Sequence, residues 1–429
     1  MTNPDRSIPP RTFPIGELHL PEGKIMNLTN GARLRVADGG DHDVCQLILT
    51  FRGGTQECTP REAIRLCADT LFEGTTSTSG AQIAETMDFN GCVYNAASSQ
   101  HFTSVTFAAP NSHIRAALPT LQDVLLYPDF PDSALDLYKQ RAIQRLQQNR
   151  RRVAYTADRM LAVMLAGAGN PAAAEDDAGS ISSVSRDTLS RIHRDVFSGG
   201  GCEAVLCGRI DDGVLDAIIS VLNLLPASAP TPLRIYPYTP EPPQIRIEDL
   251  PGAQQSAISI GIPTIMRDHP DYVPLRAAVI ALGGYFGSRL MSNIREDKGL
   301  TYGISAALCG SQDGAYINIQ AQTDARYIDQ VITEVRHEMS ALASDPPAGD
   351  ELRRLQLRLQ ANLLSILDSP FAIGDFYHSA IITGIPSDYF ARQAEISRNV
   401  SPGLISEMAS KYIRPEECRI SVVRNTVAQ

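Results

Sequence analysis

The alternation of apolar and polar positions divides the chain into short strands and amphipathic helices. KIMNLTNGARLRVADGG, residues 24–40, alternates on both sides of Asn30-Gly31 and predicts a hairpin turned there. DVCQLILTFRGG, residues 43–54, predicts a further strand. Thr59 reads as an N-cap, Pro60 as the first helical position and Glu62 as the capping-box partner of a helix running to about Leu71. A second helix begins near Ser79 and ends before Gly91, and residues 90–110 form another hairpin. Ile114, Leu118, Leu121 and Leu125 mark one face of the helix that follows. From Pro131 to about Leu165 the pattern is helical and heavily basic, and a helix at 186–196 leads into the strand EAVLCGRI. Residues 226–243 hold seven prolines and predict an extended linker that cannot carry a helix.

Beyond that linker the order of elements begins again. QLILTF at 46–51 matches AISIGI at 257–262 at an offset of 211 residues, and LFEGT at 71–75 matches GYFGS at 284–288 at an offset of 213. The helix face at 114, 118, 121 and 125 returns as Ile328, Ile332, Val335 and Met339 at an offset of 214, and each half closes on a strand, EAVLCGRI or RISVVR. Steady offsets across three element types imply two copies of one α/β unit. The domains are then 1–225 and 244–429, joined by the Pro-rich 226–243.

One stretch stands out in the second copy, SRLMSNIREDKGLTY at 288–302. Phe286, Leu290 and Ile294 fall at helical spacing, and the helix is expected to stop at Gly299. The GLTYGISAAL that follows is rich in β-formers and predicts a strand. A reversal at Gly299 would let Arg295 and Tyr302, seven residues apart, face one space.

Composition narrows the function classes. A net charge of −10 and a pI near 5.3, with no basic run longer than Arg150-Arg151-Arg152, argue against nucleic acid as a partner. No apolar run approaches the eighteen or so residues of a membrane span, and the first twenty residues lack a signal-peptide core, so a cytoplasmic protein without membrane attachment is expected. The eight cysteines are scattered without a CxxC pair and read as free thiols.

Several short motifs fail on inspection. His193-Arg194-Asp195 imitates a kinase catalytic loop, but Gly200 stands where its metal-binding Asn belongs. GGYFGS at 283–288 lacks the GK[ST] of a phosphate loop, and GSQDG at 310–314 has its Ser misplaced for a nucleophile elbow. The eight histidines include no i, i+4 pair, so no helix offers two imidazoles to one zinc.

CADTLFEGT at 67–75, following FRGGTQE at 51–57, resembles the zinc segment of the insulinase-like (pitrilysin) metallopeptidases, in which an inverted HxxEH motif precedes a stretch close to LFKGT. The register places Arg65, Ala68 and Asp69 at the positions of the two histidines and the catalytic Glu, so the metal motif is degenerate. The third ligand, a Glu, would fall in IQRLQQN at 143–149, which holds no acid. A helical Arg65–Asp69 ion pair is the expected structural remnant. LGGYFGSRLMSNIREDKGLTY, residues 282–302, resembles the family's other functional segment.

That resemblance implies an α+β fold of two homologous sandwich-like domains, each a mostly antiparallel sheet packed by helices, together forming half of a clamshell. It assigns Arg295 and Tyr302 to catalysis as oxyanion-stabilising groups, and Gly283, Gly284 and Ser288 to the substrate side. It implies that this chain binds no cofactor, that zinc sits in an HxxEH-bearing partner subunit, and that the substrate is an unfolded peptide enclosed between them. Two further readings stay open: an inactive assembly protein of the same fold, and a homodimer that encloses peptides without cutting them.

Overall fold

The computed structural model describes residues 15–229 and 232–426; the Pro-rich lead-in through residue 14 and linker positions 230 and 231 lie outside the described residues. The alternating stretch at 24–40 does form a hairpin. Strands β1 (Lys24–Asn27) and β2 (Arg33–Asp38) pair antiparallel around Gly31, whose φ of +96° suits glycine. With β3 (Val44–Arg52), β4 (Val93–Ser98), β5 (Phe102–Pro110) and β6 (Cys202–Gly208) they make a six-stranded sheet in the order β1-β2-β6-β3-β5-β4. Only the β2–β6 pairing is parallel. The helices of this half are α1 (Glu62–Asp69), α2 (Gly80–Phe89), α3 (Asn111–Leu126), α4 (Asp132–Arg150), α5 (Val153–Ala166), α6 (Ala178–Ser182), α7 (Arg186–Val196) and α8 (Asp212–Asn223).

The second sheet holds β7 (Gln244–Pro251), β8 (Ser256–Thr264), β9 (Thr301–Gly310), β10 (Ala315–Thr323) and β11 (Arg419–Thr426), ordered β7-β11-β8-β10-β9 and again with one parallel pair, β7–β11. Its helices are α9 (Tyr272–Gly283), α10 (Ile328–Ser344), α11 (Gly349–Leu367), α12 (Pro370–Thr383), α13 (Tyr389–Asn399) and α14 (Pro402–Tyr412), with a π-helical turn at Met291–Asp297. The duplication read from the sequence is therefore present in the fold. Helices α3, α4 and α5 start at residues 111, 132 and 153, and α10, α11 and α12 start 217 residues later in each case.

Each sheet is covered by its own helices on one face and by a helix of the other half on the opposite face. In β3, Leu47 and Leu49 point into the core shared with the first half's helices, while Ile48 joins Val205, Cys207 and Tyr377 of α12. That is why QLILTF reads as a continuous apolar run: both faces are dry. In β8, Ile258, Ile260 and Ile262 face the second half's own core. Ala257 meets Val153 and Ala157 of α5, and a Cβ added at Gly261 would come within 2.8 Å of Leu165 Cδ1. The small residues of AISIGI thus mark the face on which α5 lies. The two crossing helices, α5 and α12, are themselves equivalent copies.

Three sequence readings need correction. Helix α1 starts at Glu62 and is capped by a distant carboxylate rather than by Thr59: Asp176 accepts from the N–H groups of Arg61 at 3.1 Å and Glu62 at 2.6 Å. An acid at this end also complements the helix dipole, which a hydroxyl would not. The basic helical stretch from Pro131 is two helices, α4 and α5, broken at residues 151–152. Phe286 is 62% exposed, unlike Leu290 and Ile294, which are fully buried. The described part of the linker is extended, as expected, and is strapped down: Thr239 and Glu241 donate N–H bonds to Ala166 and Met164 of α5, and Tyr238 donates to Asp313. Among the described residues no helix is long and apolar enough to cross a membrane.

Candidate functional site

The stretch at 288–302 is set by two packing demands. Leu290 and Ile294 drop into the second core, so the chain must pass close to β9 before turning outward. Gly283 permits the approach: a Cβ there would sit 2.6 Å from both the Cβ and the backbone N of Ala306. Gly284 follows as the C-cap of α9, its N–H bonded to Ile280 O. The turn then winds as a π-helix, with Lys298 N–H reaching back to Asn293 O, and ends when Gly299 (φ +62°) and Leu300 donate to Arg295 O and Ile294 O. The Gly299 bond to Arg295 O is the 5→1 closure of an αL stop on a left-handed glycine, and the helix ends where the sequence predicts.

Strand β9 begins two residues later, with Thr301 anchored to Gln322 O and Tyr302 turned outward. Tyr302 is 87% exposed, and its hydroxyl has no partner among the described residues. Arg295 rests its guanidinium over the Phe286 ring, 4.9 Å from the centroid, and has no carboxylate partner among the described residues. Its neighbours differ: Asn293 and Lys298 are both tied to Glu334 on α10. The result is a cation held on an aromatic face and, seven residues further along the chain, a free phenol, with no contact between the two among the described residues. Ser288 is buried, its hydroxyl without a partner among the described residues, and lies in the packed turn. Gly283→Ala is expected to destabilise by about 1–3 kcal/mol through overpacking against Ala306. A denaturation midpoint equal to that of the parent chain would show that the glycine is not needed for packing.

The degenerate metal segment also assembles in space. Helices α1 and α4 pack together, bringing Arg65 and Arg145 to the same carboxylate: Glu62 accepts from Arg65 at 3.0 Å and from Arg145 at 2.6 Å. The Arg65–Asp69 pair expected from spacing is replaced by this three-residue bridge, because Glu62, three residues before Arg65, is reached by cations from two helices. Ala68 is buried in the core, and burial pushes the Asp69 carboxyl above its ordinary range. Zinc needs neutral imidazole, thiolate or free carboxylate ligands. Two guanidinium groups around an already shared carboxylate do not fit such an ion. Among the described residues no group of three or more His, Cys, Asp or Glu is placed to hold a metal.

A cluster that no local pattern announces joins the halves. Asp313, in the β9–β10 turn, is fully buried and accepts from Gln56 at 2.9 Å, the Tyr236 N–H at 2.8 Å and Ser311 at 3.3 Å, and bonds His101 at 2.8 Å. Burial raises its pKa, but the bonds from His101, Tyr236 and Gln56 outweigh this and hold it below the ordinary carboxylate value. His101 and Asp313 lie 212 positions apart, and the only sequence signal was the tight turn Gly310–Gly314.

Comparison with known proteins follows the same division of the chain. Residues 65–168 match the family described as insulinase (peptidase family M16), and residues 183–359 match the peptidase M16 inactive domain. An uncharacterized zinc protease YmxG of Bacillus subtilis is 22% identical over 306 residues, which is 70% of this chain and 73% of that protein. A non-peptidase homolog YmxG of Helicobacter pylori is 26% identical over 268 residues, and this chain spans 60% of its length. The crystal structure of a peptidase M16 inactive domain from Pseudomonas fluorescens superposes with a TM-score of 0.86 at 21% identity, covering 95% of this chain and 99% of that one.

Proposed function

Because the chain belongs to the insulinase-like metallopeptidase family, we propose that it is the zinc-free subunit of a heterodimeric peptidase, supplying Arg295 and Tyr302 to the active site of an HxxEH-bearing partner. The match to the family's inactive domain and the loss of every metal-ligand position both support a subunit with no zinc of its own. The observation that carries the reading is the unpaired guanidinium of Arg295, positioned on Phe286 close in sequence to the exposed Tyr302. A half-exposed cation with no anion among the described residues, seven residues from an exposed O–H donor, suits a negative charge that arrives from outside the chain.

In this reading the two halves, 1–225 and 244–429, form one valve of a cytoplasmic clamshell, and a peptide lies between the valves. As the scissile carbonyl becomes tetrahedral, Tyr302 donates a hydrogen bond and Arg295 supplies fixed charge to the developing oxyanion. Donors preset in a water-poor cavity act strongly there because they need no reorganisation as charge develops. Gly283, Gly284 and Ser288 shape the wall beneath them.

The partner is tested by mixing the purified chain with a homologous HxxEH chain from the same cell and following both sedimentation and peptide cleavage. A one-to-one complex that cleaves, while neither chain does so alone, is expected. Cleavage by the isolated chain at the rate of the mixture would sink the proposal. The similarity to the Helicobacter pylori non-peptidase homolog favours a second reading, an inactive assembly or peptide-binding protein. A stable complex or homodimer with no cleavage under any pairing would select it.

A further inference from the structure

The locus that no longer suits a metal is not filled in. A cavity of about 340 Å³ remains there, walled by α1, α4, α5 and the 172–176 segment. It is lined by Arg61, Arg65, Arg145 and Arg159 against Glu62, Glu175 and Asp176. The carboxylates are already engaged. Glu62 bridges Arg65 and Arg145, Glu175 takes Arg150 and the Tyr155 hydroxyl, and Asp176 caps α1.

Arg61 and Arg159 are left with neutral acceptors. Arg61 donates to Ala174 O and, at 3.3 Å, to Thr55 Oγ1, and Arg159 donates to Ala173 O. Neither is ion-paired among the described residues. Arg61 Nε is buried without any acceptor among the described residues. Burial, with the nearby charges of Arg65 and Arg159, pushes the Arg61 pKa down, and the carboxylates of Asp176 and Glu62 offset this only in part.

We infer that this cavity is a binding site for a small oxyanion, a carboxylate or a phosphate, received by the guanidinium groups of Arg61 and Arg159. Planar guanidinium forks match either anion and bind it through charge-assisted bonds. The space is several times the roughly 30 Å³ that one water occupies, which admits such a group with its first neighbours. Two sources share this chemistry: the C-terminal carboxylate of an enclosed peptide, and free inorganic phosphate. The peptide source rests on the peptide-enclosing reading above, whereas the phosphate source does not.

The test uses the full chain at low chloride. Inorganic phosphate is titrated by calorimetry, and a fluorescent peptide is titrated as its free acid and as its C-terminal amide. Saturable one-to-one binding of phosphate, or a free acid bound at least about tenfold more tightly than its amide, is expected, with the effect falling about tenfold in Arg159→Gln. Arg61→Lys, which keeps the charge but loses the fork, is the second variant and is expected to weaken binding severalfold while the thermal transition stays in place. Phosphate binding without any acid preference keeps the site and counts only against the peptide-enclosing reading. No phosphate binding together with equal affinity for acid and amide overturns the inference, as does anion binding that neither variant weakens.

Discussion

Removing the Asp313 carboxylate as Asp313→Ala is expected to cost the fold about 3–5 kcal/mol, the loss typical of breaking a buried, hydrogen-bonded charge cluster from one side. The magnitude follows from what is left behind. Gln56 Nε2, His101 Nε2 and the Tyr236 N–H all turn to this carboxylate in a place water does not reach, and each would lose its partner. Asp313→Asn keeps the volume and one acceptor but presents an N–H₂ toward other donors, so an intermediate loss is expected. Asp249, whose pair with Arg424 is half in water, serves as the control, and its alanine variant is expected to leave the urea midpoint unchanged.

The same carboxylate sets a pH dependence. Its folded pKa lies below the ordinary value, so the unfolded chain binds a proton more readily than the folded one. The stabilisation is therefore complete above the ordinary carboxylate pKa of about 4 and is lost as pH falls through the folded value. Asp313→Ala should flatten the acid limb of the stability curve. An alanine variant with the parent's midpoint and the parent's acid limb would show that the brace between the halves is ornamental.

Much of this architecture could be read from the chain because it is written in local patterns. The duplication was visible in strand and helix faces, the helix stop in Gly299, and the start of α2 near Ser79, whose side chain accepts from the Gln82 N–H. What escaped the reading depends on partners far away in sequence. Asp176 caps α1 from 114 residues downstream of Glu62, and it displaced a local Thr59 cap that had every expected residue type. Helix α8 carries an ordinary apolar face but went unread beside the Pro-rich stretch that follows it. The Arg65–Asp69 pair followed from helical spacing alone, yet Arg145 on α4 shares Glu62 with Arg65. In each case a charge from another element outcompeted the one nearest in sequence.

In the proposed complex with an HxxEH partner, Tyr302→Phe is expected to lower kcat by about 10²–10³-fold, the usual cost of deleting one oxyanion donor. The variant removes one oxygen from a side chain that is 87% exposed and bonded to nothing among the described residues, so its folding and its assembly should match those of the parent. That separates chemistry from stability more cleanly than any buried position could. Because the bond forms only as charge develops, kcat and kcat/KM should fall together while KM stays near its original value. Arg295→Lys keeps the positive charge but loses the planar group that stacks on Phe286, and a smaller loss is expected than for Arg295→Gln. A Tyr302→Phe complex that retains full activity would mean that the exposed phenol serves no oxyanion, and the inactive reading of the chain would then take precedence.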